Sequence, residues 1–158
     1  MDIRQRLASK LVSARRKRLP SSRRRQRGVI VTGQKPCIVV FCAGHNAVLE
    51  FYRDALELPV VHHDEAHSVL DASGLLLVVH PLPETILCAP PPGVPVERKW
   101  DVTIKPMFPV ASIAEARSRS KDLGGVIDAP EAEWRWGDRQ CCKGHDPEGN
   151  VFEVFEPA

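Results

Sequence analysis

Acidic side chains are almost missing from the start of this 158-residue chain: residues 1–35 hold only Asp2 against twelve of the 22 lysines and arginines. The rest is the reverse, ten basic against nineteen acidic residues, a net of −9 (10 − 19), so the overall charge of +2 describes neither part. Aromatic residues are absent from the stretch MDIRQRLASKLVSARRKRLPSSRRRQRG, so base stacking is not suggested there. Long apolar runs are absent too. Segments such as GLLLVV are far shorter than the roughly 20 residues of a membrane span. No C-x-x-C spacing and no secretory signal occur, and the five cysteines are odd in number. A disulfide framework is therefore not expected; reduced thiols in a cytoplasmic protein are.

What remains is a basic tail and an acidic body. The tail, taken as residues 1–34, reads as a disordered extension by its composition. Ile3, Leu7, Leu11 and Val12 share one side of a helix, which would suit an anionic surface or an organellar presequence. SSRRRQR would suit a phosphate backbone. Both stand as minor alternatives.

The body, 35–158, is long enough for one cored domain and repeats itself. PCIVVFCAG reads as a strand, HNAVLEFYRDALEL as a helix with Val48, Leu49, Tyr52 and Leu56 at helical spacing, and PVVHHDE, HSVLDAS and GLLLVVHPL as three strands. The second half repeats the order. WDVTIKPMFPV is strand-like, and ASIAEARSRSKDLGG is a helix with Ser112 as N-cap, Glu115 three later and glycines at its end. VIDAPEAEWRW, DRQCCKGH and NVFEVFE are strands. Each half is thus strand, helix, three strands: modules at about 36–80 and 100–157, joined by a proline-rich linker, 81–99. LEL at 56–58 matches LGG at 123–125, an offset of 67, which sets Phe41 on Phe108. Gly74 matches Gly149, an offset of 75, with eight extra residues around APEAEWRWG.

Alternation in the last strand leaves Glu153 on one face with Val151 and Phe155. A carboxylate there is costly to bury without a partner. Glu156, near the chain end, is expected to be solvated.

FYRDALELPV and WGDRQCCKGHDPEGNVFEVFE resemble the two signature stretches of the vicinal oxygen chelate superfamily, which includes glyoxalase I, extradiol dioxygenases, and fosfomycin- and bleomycin-resistance proteins. The resemblance covers about residues 36–157 and implies an α+β fold of two βαβββ modules, a curved mixed sheet around a concave cavity. Glu57 departs from it, standing where relatives have glycine, and predicts a changed helix end. In metal-using members the ligands come from the first and last strand of each module. Those places fall here on Cys37, Val78, Ile104 and Glu153. Valine and isoleucine cannot bind a metal, so the full metal site is expected to be missing.

The implied function is binding of a small organic molecule, with Glu153, His80, Cys37, Phe41, Phe108 and Trp136 around the ligand and no cofactor. The alternative is a metal-dependent lyase or dioxygenase in which Glu153, with Cys37 or His80, holds zinc, iron or manganese. Glu153 and His80 are also the candidates for acid and base. Trp134 and Trp136 share a strand face at the expected pocket mouth. His62, His63 and His67 form another cluster, read as surface histidines because His62 and His63 point opposite ways. A homodimer, or pairing of the two modules within one chain, is the assembly the resemblance implies.

Overall fold

The computed structural model describes residues 35–157 except 84, 88–89 and 92–93. The expectations for residues 1–34 and for Cys88 lie outside these residues. The described residues belong to one compact unit.

The first module runs β1 (Cys37–Cys42), α1 (His45–Glu50) continued by a π-helical turn (Phe51–Ala55), β2 (Val60–His63), β3 (Ser68–Asp71) and β4 (Leu76–Pro81). The second runs β5 (Met107–Pro109), α2 (Ile113–Asp122), β6 (Val126–Ile127), a 3-10 turn (Pro130–Ala132), β7 (Trp134–Trp136), β8 (Arg139–His145) and β9 (Val151–Glu156). Each module makes its own sheet. The orders are β1-β4-β3-β2 and β5-β9-β8-β6, with β7 also paired to β8. In both, the first strand lies parallel to the last and the other pairs are antiparallel. The eight-residue excess of the second module becomes the 3-10 turn and β7. WDVTIKPMFPV yields only three residues of strand, because Pro106 and Pro109 have no N–H to give a ladder and are tolerated at this sheet edge.

Few aromatic residues suffice for the core because they are concentrated. Phe51 and Tyr52 of the first module meet Phe108 and Phe152 of the second, all essentially fully buried, with centroids 5.4–6.1 Å apart. Leu77, Val79 and Val154 join them, so β4 and β9 bury one face against the helices. Val78, His80, Glu153 and Phe155 stand on the other, open face.

The two helices differ by one residue. Glu57 (φ 55°) and Gly124 (φ 76°) are the left-handed residues just past the helix ends, an offset of 67 as expected. At the other end, N-caps Gly44 and Ser112 are 68 apart. The extra residue is absorbed in the π-helical turn. Past α2 the closing bond runs from Gly125 N–H to the Ser120 carbonyl, five residues back, whereas past α1 it runs from Leu58 to Tyr52, six back. The strand offset is therefore 68. Val39 pairs with Val78 and Met107 with Glu153, so Phe108 is the counterpart of Val40, and Phe41 of Pro109. The expected match of Phe41 with Phe108 is off by one residue, which puts them on opposite faces: Phe41 is 50% exposed and Phe108 0%. Gly74 (φ 127°) and Gly149 (φ 80°) keep the offset of 75, as do β4 and β9.

The helix end at Glu57 is changed as expected: a side chain sits where the backbone favours glycine. Left-handed backbone costs a non-glycine residue roughly 1–2 kcal/mol, against about 0.5–1 kcal/mol of extra chain entropy lost by glycine. The Glu57 carboxylate receives an Arg119 N–H at 3.0 Å, an exposed pair of small value. Glu57→Gly should raise the unfolding free energy by about 0.5–1 kcal/mol in urea titrations; a loss of stability would show that the ion pair outweighs the backbone strain.

Candidate functional site

Alternation along β9 sends Phe152 and Val154 into the core and Val151, Glu153 and Phe155 to the open face. Glu153 is paired across the ladders with Lys143 of β8 and Met107 of β5. Lys143, absent from the sequence-based site, therefore stands directly opposite Glu153 on the same face, a pairing that suits opposite charges. The Lys143 ammonium also lies 5.6 Å from the Trp134 ring centre. Next along the face, the Arg139 guanidinium lies 4.6 Å from the Phe155 ring and 5.5 Å from Trp136. The expected shared face of Trp134 and Trp136 is present. This half of the open face is aromatic and edged with cations.

The other half is apolar. A groove of about 470 Å³ runs between the β1 edge and the segment that follows β4. Val39, Phe41, Ile86, Ile104 and Val151 contribute to its walls, and the Lys99 ammonium, bonded to the Asn150 side-chain carbonyl at 2.8 Å, is its charged group. Val151 joins the halves, since Glu153 is two residues further along the same face of β9.

The expected residues are thus partly assembled. Phe41 lines the groove and meets His80 edge-on, with centroids 5.6 Å apart. His80 donates from Nδ1 to the Pro81 carbonyl at 2.8 Å, leaving Nε2 as an acceptor. Cys37 is exposed at the start of β1, and Trp136 is exposed on β7. Phe108 does not belong to the site; it is a core residue for the register reason above. Counted with the offset of 68, the position expected to match Cys37 in the second module is Lys105 and not Ile104. Ile104 is 72% exposed outside any strand. An ammonium ligates a metal no better than an isoleucine. Among the described residues, the group of three His, Cys, Asp or Glu side chains whose donor atoms converge within 4.8 Å is His62, Asp64 and His67. Cys37, His80 and Glu153 are not gathered in this way.

The DPEGN turn, legible only as a turn, organises the surroundings. Asp146 is fully buried and accepts from Glu148 N–H (2.9 Å), Asn150 N–H (3.0 Å), the Asn150 side-chain amide (2.8 Å) and the Tyr52 hydroxyl (3.3 Å). Burial pushes its carboxyl above the usual range, against the pull of these bonds. Glu148 accepts from the N–H groups of Ala43 (2.9 Å) and Gly44 (2.5 Å) ahead of α1. Glu156, expected in solvent, does the same for α2, accepting from Ile113 N–H at 2.5 Å while Ser112 accepts from Glu115 N–H. Each helix thus starts on a carboxylate from the second module.

The four described cysteines are free. Burial pushes the Cys42 thiol up to about 12 and raises Cys141 and Cys142 as well. Native protein alkylated at pH 8 should be modified at Cys37 while Cys42, Cys141 and Cys142 stay intact until denaturant is added, as read by peptide mass spectrometry. Modification of Cys142 in native protein would mean that the α2 side of the core opens.

The glyoxalase-like domain family matches residues 37–155. The chain belongs to this family. It thereby joins the vicinal oxygen chelate superfamily, as FYRDALELPV and DPEGNVFEVFE implied. Solved structures share the fold of this glyoxalase-like domain. A glyoxalase/bleomycin resistance protein from Albidiferax ferrireducens T118 is 13% identical with a TM-score of 0.56, covering 80% of this chain and 100% of its own. A glyoxalase/bleomycin resistance protein/dioxygenase family enzyme from Burkholderia phytofirmans PsJN is 14% identical with a TM-score of 0.54 over 76% and 95%. A genomically encoded fosfomycin resistance protein from Listeria monocytogenes is 14% identical with a TM-score of 0.52 over 81% and 95%. No curated protein matches the sequence. Among the described residues no helix is long and apolar enough to cross a membrane.

Proposed function

We propose that this glyoxalase-like protein binds a small organic molecule on the open face of its sheets, without the complete family metal site. The supporting observation is the strand register. Val39 pairs with Val78 and Met107 with Glu153; counting back from Met107 by the same offset sets Lys105 opposite Cys37 in the repeat, and neither valine nor lysine would offer a metal a usable donor. Beside them lies an apolar groove of about 470 Å³, in the size range of small-molecule sites. The apolar part of the ligand would lie against Val39, Phe41 and Val151. Glu153 and Lys143, next along the face, would hold a polar or ionisable end. The free thiols fit a reducing, cytoplasmic setting.

Native mass spectrometry of freshly purified protein should show a retained small molecule. Glu153→Gln keeps the shape and removes the charge, and should lower retention severalfold while the thermal midpoint stays within a few degrees. Equal retention by the variant would give Glu153 a purely structural place. Stoichiometric zinc, iron or manganese that is lost in Glu153→Gln but kept in His67→Ala would favour the metal-dependent lyase or dioxygenase and overturn the metal-free reading.

A further inference from the structure

The β2–β3 hairpin carries a second arrangement of donors, far along the first sheet from β1. Strand alternation splits the neighbouring histidines. His63 turns to Ser68, whose hydroxyl lies 2.8 Å from His63 Nδ1 and 2.9 Å from His45 Nε2. His62 turns the other way and meets His67 across the hairpin, with ring centroids 4.9 Å apart. Asp64 sits between them. One of its oxygens is 3.0 Å from His62 Nε2 and the other 3.3 Å from His67 Nδ1. The carboxylate is held in place by the Ala66 and His67 N–H groups, both at 2.9 Å.

We propose that His62 Nε2, His67 Nδ1 and the Asp64 carboxylate bind one divalent transition ion of the zinc type. Donors about 2.0–2.1 Å from a tetrahedral ion stand about 3.3 Å from one another. The His–Asp separations, 3.0 and 3.3 Å to the two oxygens of one carboxylate, lie close to this spacing, and one donor atom from each of the three residues lies within 4.8 Å of the others. Two imidazoles and one carboxylate are a donor set that zinc, copper and nickel accept and that calcium and magnesium, which prefer oxygen, do not. The ion takes the place of the shared protons, each neutral imidazole keeping one proton on its other ring nitrogen. The side chains are 23–47% exposed, so a fourth position stays open to water or an external donor. The site is separate from Glu153 and does not rest on the binding proposed for the open face.

The test is titration of the full, tag-free chain, stripped with chelator, with Zn²⁺ alone by calorimetry. Wild type should bind one ion through the hairpin. His62→Ala, His67→Ala and Asp64→Asn should each weaken that binding at least tenfold, with unchanged circular dichroism. His63→Ala and Cys37→Ser, which leave the three donors intact, should not weaken it. Asp64→Asn keeps the acceptor for the turn amides, so its loss of binding is not a loss of the hairpin. Co²⁺ in place of Zn²⁺ should give a visible absorption band that His67→Ala abolishes. No binding by wild type, or equal binding by His67→Ala, overturns the proposal.

Discussion

Gly149→Ala should lower the unfolding free energy by about 2–5 kcal/mol, a left-handed backbone penalty joined to an overpacked contact. Gly149 has φ 80°, and a methyl group on it would lie 2.2 Å from the Glu97 carbonyl oxygen. Neither partner is free to yield. Gly149 closes the DPEGN turn by donating to the Asp146 carbonyl at 3.0 Å, and its own carbonyl accepts from Lys99 N–H at 3.0 Å. The segment around Glu97 is held on its other side by Arg98, whose guanidinium grips the Asp128 carboxylate. The clash would therefore loosen the segment along one wall of the groove. Gly137→Ala is the control, with φ 63° but open space around the site, and should cost about 1–2 kcal/mol. Equal losses in the two variants, read from urea titrations, would mean that the Glu97 segment gives way freely.

Glu148→Ala should cost about 1–3 kcal/mol, since it strips the acceptor from two part-buried N–H groups, each worth up to the cost of an unsatisfied buried donor. Glu148 is 6% exposed, so water cannot readily replace its oxygens. The first helix is short and has no side-chain cap of its own, so it depends on this carboxylate more than α2 depends on Glu156. Glu148→Gln keeps one acceptor oxygen and should lose less than half as much. Hydrogen exchange at Ala43 and Gly44 should quicken in both variants ahead of the core strands. A change below about 0.5 kcal/mol for Glu148→Ala, within the range of ordinary surface substitutions, would show that another group takes over the two amides.

The helix ends were readable because their cause is local. A left-handed residue commonly follows the last turn, and Gly124 announces it; Glu57 was singled out as standing where the family pattern has glycine. The strand register was not readable from those ends. The extra residue lies inside the first helix, where FYRDA has no proline, glycine or other mark of a π-helical turn. Its effect was to shift the counterpart of Cys37 from Ile104 to Lys105 and that of Phe108 from the exposed Phe41 to Val40. Neither residue is a metal ligand, so both counts lead to the same proposal.

The sequence by itself determined the order of strands and helices in the two modules, the α+β class, the family and the face on which Glu153 stands. These follow from periodicity, turn residues and motifs, all of which act over a few neighbours. Tertiary structure alone decided what lies beside that face. Lys143 became the neighbour of Glu153 through antiparallel pairing, Glu148 and Glu156 found helix starts 104 and 43 residues away, and Asp64 drew His62 and His67 together only once the hairpin had closed. Such contacts depend on register and chain reversal, in which one added residue turns a side chain to the opposite face.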